Sequence, residues 1–95
     1  MNKEIEQISL KIRPILEKQK VIGAGIFGSY ARGEQKEKSD VDILVKIEEN
    51  ASLLDILKLR VILEKLLEKK VDLVEYDSII PELRNNILRE EIKII

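Results

Sequence analysis

Apolar residues recur along this chain in two distinct rhythms, and the change from one to the other marks out its elements. Ile5, Ile8, Ile12, Ile15 and Leu16 return at helical spacing, which predicts an amphipathic helix over residues 3–19 with Pro14 as a candidate kink. The dense run Val21–Phe27 reads as a buried strand, in which Gly23 and Gly25 mark close approach of neighbouring backbone. A short helix over 29–33 and a polar loop over 34–38 follow. Val41–Ile47 is apolar enough for a central strand, and Asn50, Ala51 and Ser52 supply cap chemistry for a long helix carrying Leu53, Leu54, Leu57, Val61, Leu63, Leu66 and Leu67. A third strand is predicted over 71–76, and residues 78–82 read as the start of a helix bearing Leu83, Ile87 and Leu88. Residues 92–95 fit either a short edge strand or an apolar surface for a partner, and periodicity favours the strand.

This order predicts an α/β (α+β) fold with a small mixed sheet of three to four strands and helices mainly on one face. If the first two strands are antiparallel, Gly28 and Ser29 at the end of one lie beside Asp40 and Asp42 at the start of the other. The long helix then returns the chain to the same edge, where the third strand, parallel to the second, brings Asp72. Asp40 and Asp42, two positions apart on a strand, project from one face with a spacing of about 6.6–6.8 Å. Three acids and a Gly-Ser step without side-chain bulk thus gather at one edge.

Composition narrows the chemistry. A chain of 95 residues has room for one domain, expected to span 1–95. Its 44% hydrophobic content is nearly all aliphatic, so the core is built of Ile, Leu and Val. Charged residues make up 37%, yet 17 Lys and Arg against 18 Asp and Glu leave a net charge of −1, and the basic residues alternate with Glu along helices. That pattern describes solvated faces and gives no reason to expect direct nucleic-acid binding. The absence of Cys and His excludes disulfides, Cys/His zinc sites, thiol nucleophiles and a histidine base, which leaves carboxylates and hard metal ions. With no signal-like segment and no apolar run near the roughly 20 residues that span a bilayer, a cytoplasmic protein without membrane contact is expected. Abundant Lys, Glu and Ile without Cys or Trp fits a thermophilic source.

Each acid also has an ordinary explanation. Asp40 and Asp42 can simply open a strand after a loop, Asp72 can pair with Lys69 or Lys70, Ser29 can be a helix cap and Ser39 a turn residue. The joint pattern is more specific. The segment Gly28-Ser29-Tyr30-Ala31-Arg32-Gly33, continued by Ser39-Asp40-Val41-Asp42-Ile43-Leu44-Val45, resembles the signature of the DNA polymerase β-like nucleotidyltransferases, and within them the minimal nucleotidyltransferases, over essentially the whole chain.

That resemblance implies that Asp40 and Asp42 hold two Mg²⁺ ions, that Asp72 completes the shell of the second, and that Gly28 and Ser29 cradle the triphosphate of ATP. Arg32, one turn into the same short helix, is left with two roles, phosphate contact or structural ion pairing. By the same resemblance the protein is the antitoxin of a HEPN/MNT toxin–antitoxin pair and moves AMP from ATP to a tyrosine of a HEPN-type toxin. The alternatives are a non-catalytic antitoxin that neutralises the HEPN partner by binding, and transfer to a small molecule.

Overall fold

The computed structural model describes residues 3–95 and shows a four-stranded sheet clasped between helices. Helix α1 (Lys3–Lys18) leads into β1 (Val21–Phe27), a short helix α2 (Gly28–Arg32) and β2 (Val41–Ile47). Helix α3 (Leu53–Leu67), β3 (Val71–Glu75), a single 3-10 turn (Tyr76–Ser78), α4 (Pro81–Glu90) and β4 (Ile92–Lys93) complete the chain. The strands lie in the order β3-β2-β1-β4, with β1 antiparallel to β2 and β4, and β2 parallel to β3. The predicted mixed sheet, the crossover through α3 and the terminal edge strand are all present.

Local chemistry explains most boundaries. Ser52 caps α3 by accepting from the Asp55 N–H at 3.3 Å while Asp55 Oδ2 accepts from the Ser52 N–H at 2.8 Å, a reciprocal capping box. Backbone bonding and nearby Lys20 hold the Asp55 carboxyl below its ordinary range. Helix α1 runs unbroken through Pro14 and buries Ile5, Ile8, Ile12 and Leu16.

Alternation along the strands divides their side chains between two faces. Ala24 and Ile26 of β1, with Val41, Ile43 and Val45 of β2, pack against α1 and against Leu59 and Leu63 of α3 in one aliphatic core. The opposite face carries Phe27 and Leu44 beneath Ile79, with Val74, Tyr76 and Ile87 at its margin.

Five details depart from expectation. Strand β3 stops at Glu75 because the chain turns into the 3-10 segment, and α4 begins at Pro81, whose missing N–H suits the first helical position. The short helix starts one residue early, at Gly28, and ends where Gly33 adopts φ +74°. Helices do not keep to one face, since the 3-10 turn and α4 cross the second. Of the two strand glycines only Gly25 marks a close approach, because a Cβ there would lie 2.1 Å from Glu91 Oε2, whereas one at Gly23 would make an ordinary 3.5 Å contact with Lys46.

Candidate active site

The antiparallel register sets Phe27 opposite Asp42, and the parallel register sets Asp42 beside Asp72. Neighbouring strands are about 4.8 Å apart, so Asp42 and Asp72 stand side by side on the second face, with Asp40 two positions before Asp42, just ahead of β2. Asp42 is half-buried, while Asp40 and Asp72 are exposed at the sheet edge.

Gly28 completes the edge. It follows Phe27 with φ +73°, and a Cβ at this position would lie 2.0 Å from Asp42 Oδ2. Backbone conformation and lack of space therefore both favour glycine, the second because the Asp42 carboxylate occupies the ground where a side chain would stand. Phe27 is the residue preceding α2 and makes no side-chain cap, so Ser29 is the second residue of the helix rather than its cap.

The electrostatics agree with the geometry. The Asp42 carboxyl is pushed up from 3.8 to about 6, first by burial, then by the charges of Asp72 and Asp40; Arg32 opposes the shift and Glu90 adds to it. Asp42 therefore senses both other acids of the predicted set. As their side chains stand, no group of three acidic residues among those described is drawn together tightly enough to hold a metal ion. The strand register supplies the gathering, and closure onto a cation would be left to the side chains.

Asp72 is not consumed by Lys69, whose Nζ donates instead to the Glu37 carbonyl at 2.9 Å. Ser39 is the turn residue expected of it: its hydroxyl accepts from the Lys36 N–H at 2.7 Å and its own N–H donates to the Lys36 carbonyl at 3.0 Å. Arg32 is ion-paired, through Nε to Glu34 at 3.0 Å and through Nη1 to Glu90 at 3.2 Å.

Sequence reasoning passed over Glu90, Glu91 and Tyr76. Tyr76 donates its hydroxyl to Glu91 Oε2, and that carboxylate, raised above its ordinary range chiefly by burial, lies over Gly25. This contact helps seat the end of α4 on the second face. The one signal in the sequence was Gly25, a glycine in a strand with no turn to explain it.

Fold and edge together define a class: an α+β domain that assembles acids from two parallel strands beside a glycine-opened helix, the arrangement of a nucleotidyl-transferring enzyme. The family model for polymerase beta nucleotidyltransferases matches residues 10–95. A Methanocaldococcus jannaschii protein named "Putative protein adenylyltransferase MJ0435" is 52% identical over 91 residues, covering 96% of this chain and 98% of that protein. Protein adenylyltransferase MntA of Thermococcus cleftensis is 47% identical over 88 residues, covering 92% of this chain and 89% of its own. A crystal structure of a toxin–antitoxin with AMP-PNP contains a chain that superposes with a TM-score of 0.80 at 27% identity, covering 92% of this chain and 72% of that one. The chain belongs to the polymerase β nucleotidyltransferase family, and within it to the minimal nucleotidyltransferases.

Proposed function

We propose that this protein transfers AMP from ATP to a tyrosine hydroxyl of a HEPN-type toxin, with residues 1–95 working as one minimal catalytic domain in the cytoplasm. The observation that carries the reading is the in-register pair Asp42 and Asp72 beside Gly28. It is supported by relatives named as protein adenylyltransferases and by the likeness to a toxin–antitoxin chain crystallised with AMP-PNP.

The donor set suits Mg²⁺. Carboxylate oxygens are the ligands this hard ion prefers, and acids that repel one another, with Asp42 pushed to about 6, are neutralised by a divalent cation. Asp40 and Asp42 would hold two ions, with Asp72 completing the shell of one. When bound, Mg²⁺ neutralises the polyphosphate and makes an attacking hydroxyl more acidic.

The chain's own residues do the rest. Gly28 lets the backbone come close to the triphosphate, Ser29 offers its hydroxyl, and Arg32 supplies a planar set of donors to phosphate oxygens. Asp72, exposed at the edge, accepts the proton of the acceptor hydroxyl. The tyrosine oxygen forms a bond to the α-phosphorus of ATP, the bond from that phosphorus to the bridging oxygen breaks, and pyrophosphate leaves.

Metal and nucleotide binding are tested without turnover. ATP with Mg²⁺ raises the melting temperature of the protein, chelator cancels the shift, and Asp40→Asn abolishes it while leaving the nucleotide-free fold as stable or slightly firmer. An Asp40→Asn protein that unfolds, or one that keeps the shift, removes Asp40 from the site.

A further inference from the structure

Arg32 is held more elaborately than an ordinary surface arginine. Its Nε donates to Glu34 Oε1 at 3.0 Å, and Nη1 reaches both carboxylate oxygens of Glu90, each at 3.2 Å, across 58 residues of sequence. Glu90 is the last residue of α4, a helix with no buried residue of its own. A guanidinium carries its five N–H donors in a rigid plane, and among the described residues the pair on Nη2 donates to none. Two carboxylates from different elements thus fix the plane and leave one end of the fork open. Arg32 ends the short helix whose first residue, Gly28, stands against the Asp42 carboxylate, so the pair lies at the rim of the carboxylate edge.

We propose that Glu90 is a positioning residue for nucleotide binding: it holds the Arg32 guanidinium in one orientation, so that the free Nη2 donors meet the polyphosphate already ordered. The inference rests on the adenylyl-transfer reading. A mobile arginine must be ordered at the moment of binding, and Glu90 has done this in advance. Its negative charge also repels a polyphosphate, but metal ions neutralise much of that ligand's charge and salt screens a partly exposed carboxylate. Ordering therefore outweighs repulsion. The ordinary alternative is that the pair only fastens α4 in place, a task to which Glu91 with Tyr76, and the packing of Ile79 and Ile87 with Phe27 and Leu44, also contribute.

The test is calorimetric titration of the full chain with Mg²⁺ and AMP-PNP, which needs no turnover. E90A weakens binding five- to tenfold, R32A at least as much, and the double variant no more than R32A alone, because Glu90 acts through Arg32. E90D recovers part of the loss. E90Q, matched in shape, loses affinity without unfolding, so the proposal stays testable if E90A does not fold. In transfer assays the same factor enters the KM for ATP, while kcat changes less than twofold. Unchanged or tighter binding in both E90A and E90Q overturns the inference, and so do losses that multiply in the double variant. Where Asp42→Asn abolishes AMP-PNP binding but E90A and E90Q do not weaken it, only the role of Glu90 falls. Failure of the unaltered protein to bind AMP-PNP overturns the adenylyl-transfer reading together with this one.

Discussion

The two faces of the sheet are made from the same strands and differ in almost everything else. One is sealed: Ile12, Leu16, Ile26, Ile43, Val45 and Leu63 have no exposed surface, and two long helices cover them. The other holds Gly25, Phe27, Asp42, Leu44 and Asp72 under a helix none of whose own residues is fully buried. Alternation along each strand allows one short sequence to serve both needs, sending every second residue to a stabilising core and the rest to a reactive edge. Stability is concentrated on the first face so that the second can carry repelling carboxylates. Substitutions should therefore separate cleanly by face.

The largest effect belongs to the sealed face. Leu63→Ala should cost about 2–5 kcal/mol, because the surrounding Ile and Val side chains cannot collapse into the space. Thermal unfolding should register a fall of more than about 8 °C. A fall under a few degrees would mean that the aliphatic face is not where stability resides.

Gly28→Ala should come next and act on the other face. The new methyl must displace the Asp42 carboxylate and sit at an unfavourable φ, and a misplacement of about 1 Å at a reacting centre is enough for roughly a hundredfold loss of transfer. Melting in the absence of nucleotide should change far less than in Leu63→Ala. If transfer survives, the tight approach of Gly28 to Asp42 is incidental.

The third effect is smaller and has an opposite sign. In the unfolded chain Asp42 ionises near 3.8 and in the folded protein near 6. The folded state therefore holds the proton more tightly, and the stability this gives is fully present below pH 3.8 and lost as pH rises through 6. Solvent around the half-buried carboxyl reduces the effect to about 1 kcal/mol. Asp42→Asn should consequently raise the melting temperature of the metal-free protein by about 4–8 °C at neutral pH and erase the decline across that window. A variant that melts lower would show Asp42 to be a structural acid. The smallest effect is expected at the solvent side of α3, where Leu54 is 58% exposed. Leu54→Lys should shift unfolding by no more than about 0.5 kcal/mol, read from the denaturation midpoint.

Legibility in the sequence followed the same division. The sealed face was readable because its residues repeat at 3.6 or 2 positions, and the capping chemistry of Ser52 announced α3. Asp40, Asp42 and Asp72 could be brought to one edge from the sequence because, once β1 and β2 are taken as antiparallel, the crossover through α3 returns β3 to the same edge. What stayed hidden depends on contacts distant in sequence. The pairing of Arg32 with Glu90 requires α4 to lie across the second face, and nothing in the polar sequence of that helix says so. Glu91 over Gly25 was half-visible, since the glycine was noticed but its occupant was not. The helices also failed to keep to one face, because that side is covered by Ile79, ahead of α4, and Ile87 within it, too few positions for a periodicity to show.

The most direct measurement is intact-mass analysis of the cognate HEPN partner after incubation with this protein, ATP and Mg²⁺. The account predicts addition of one or more AMP units, placed on tyrosine by fragmentation, and no addition with Asp42→Asn or Asp72→Asn. A partner that gains no mass under any condition, yet is neutralised equally by the parent and both variants, would contradict it and leave binding alone as the mode of action.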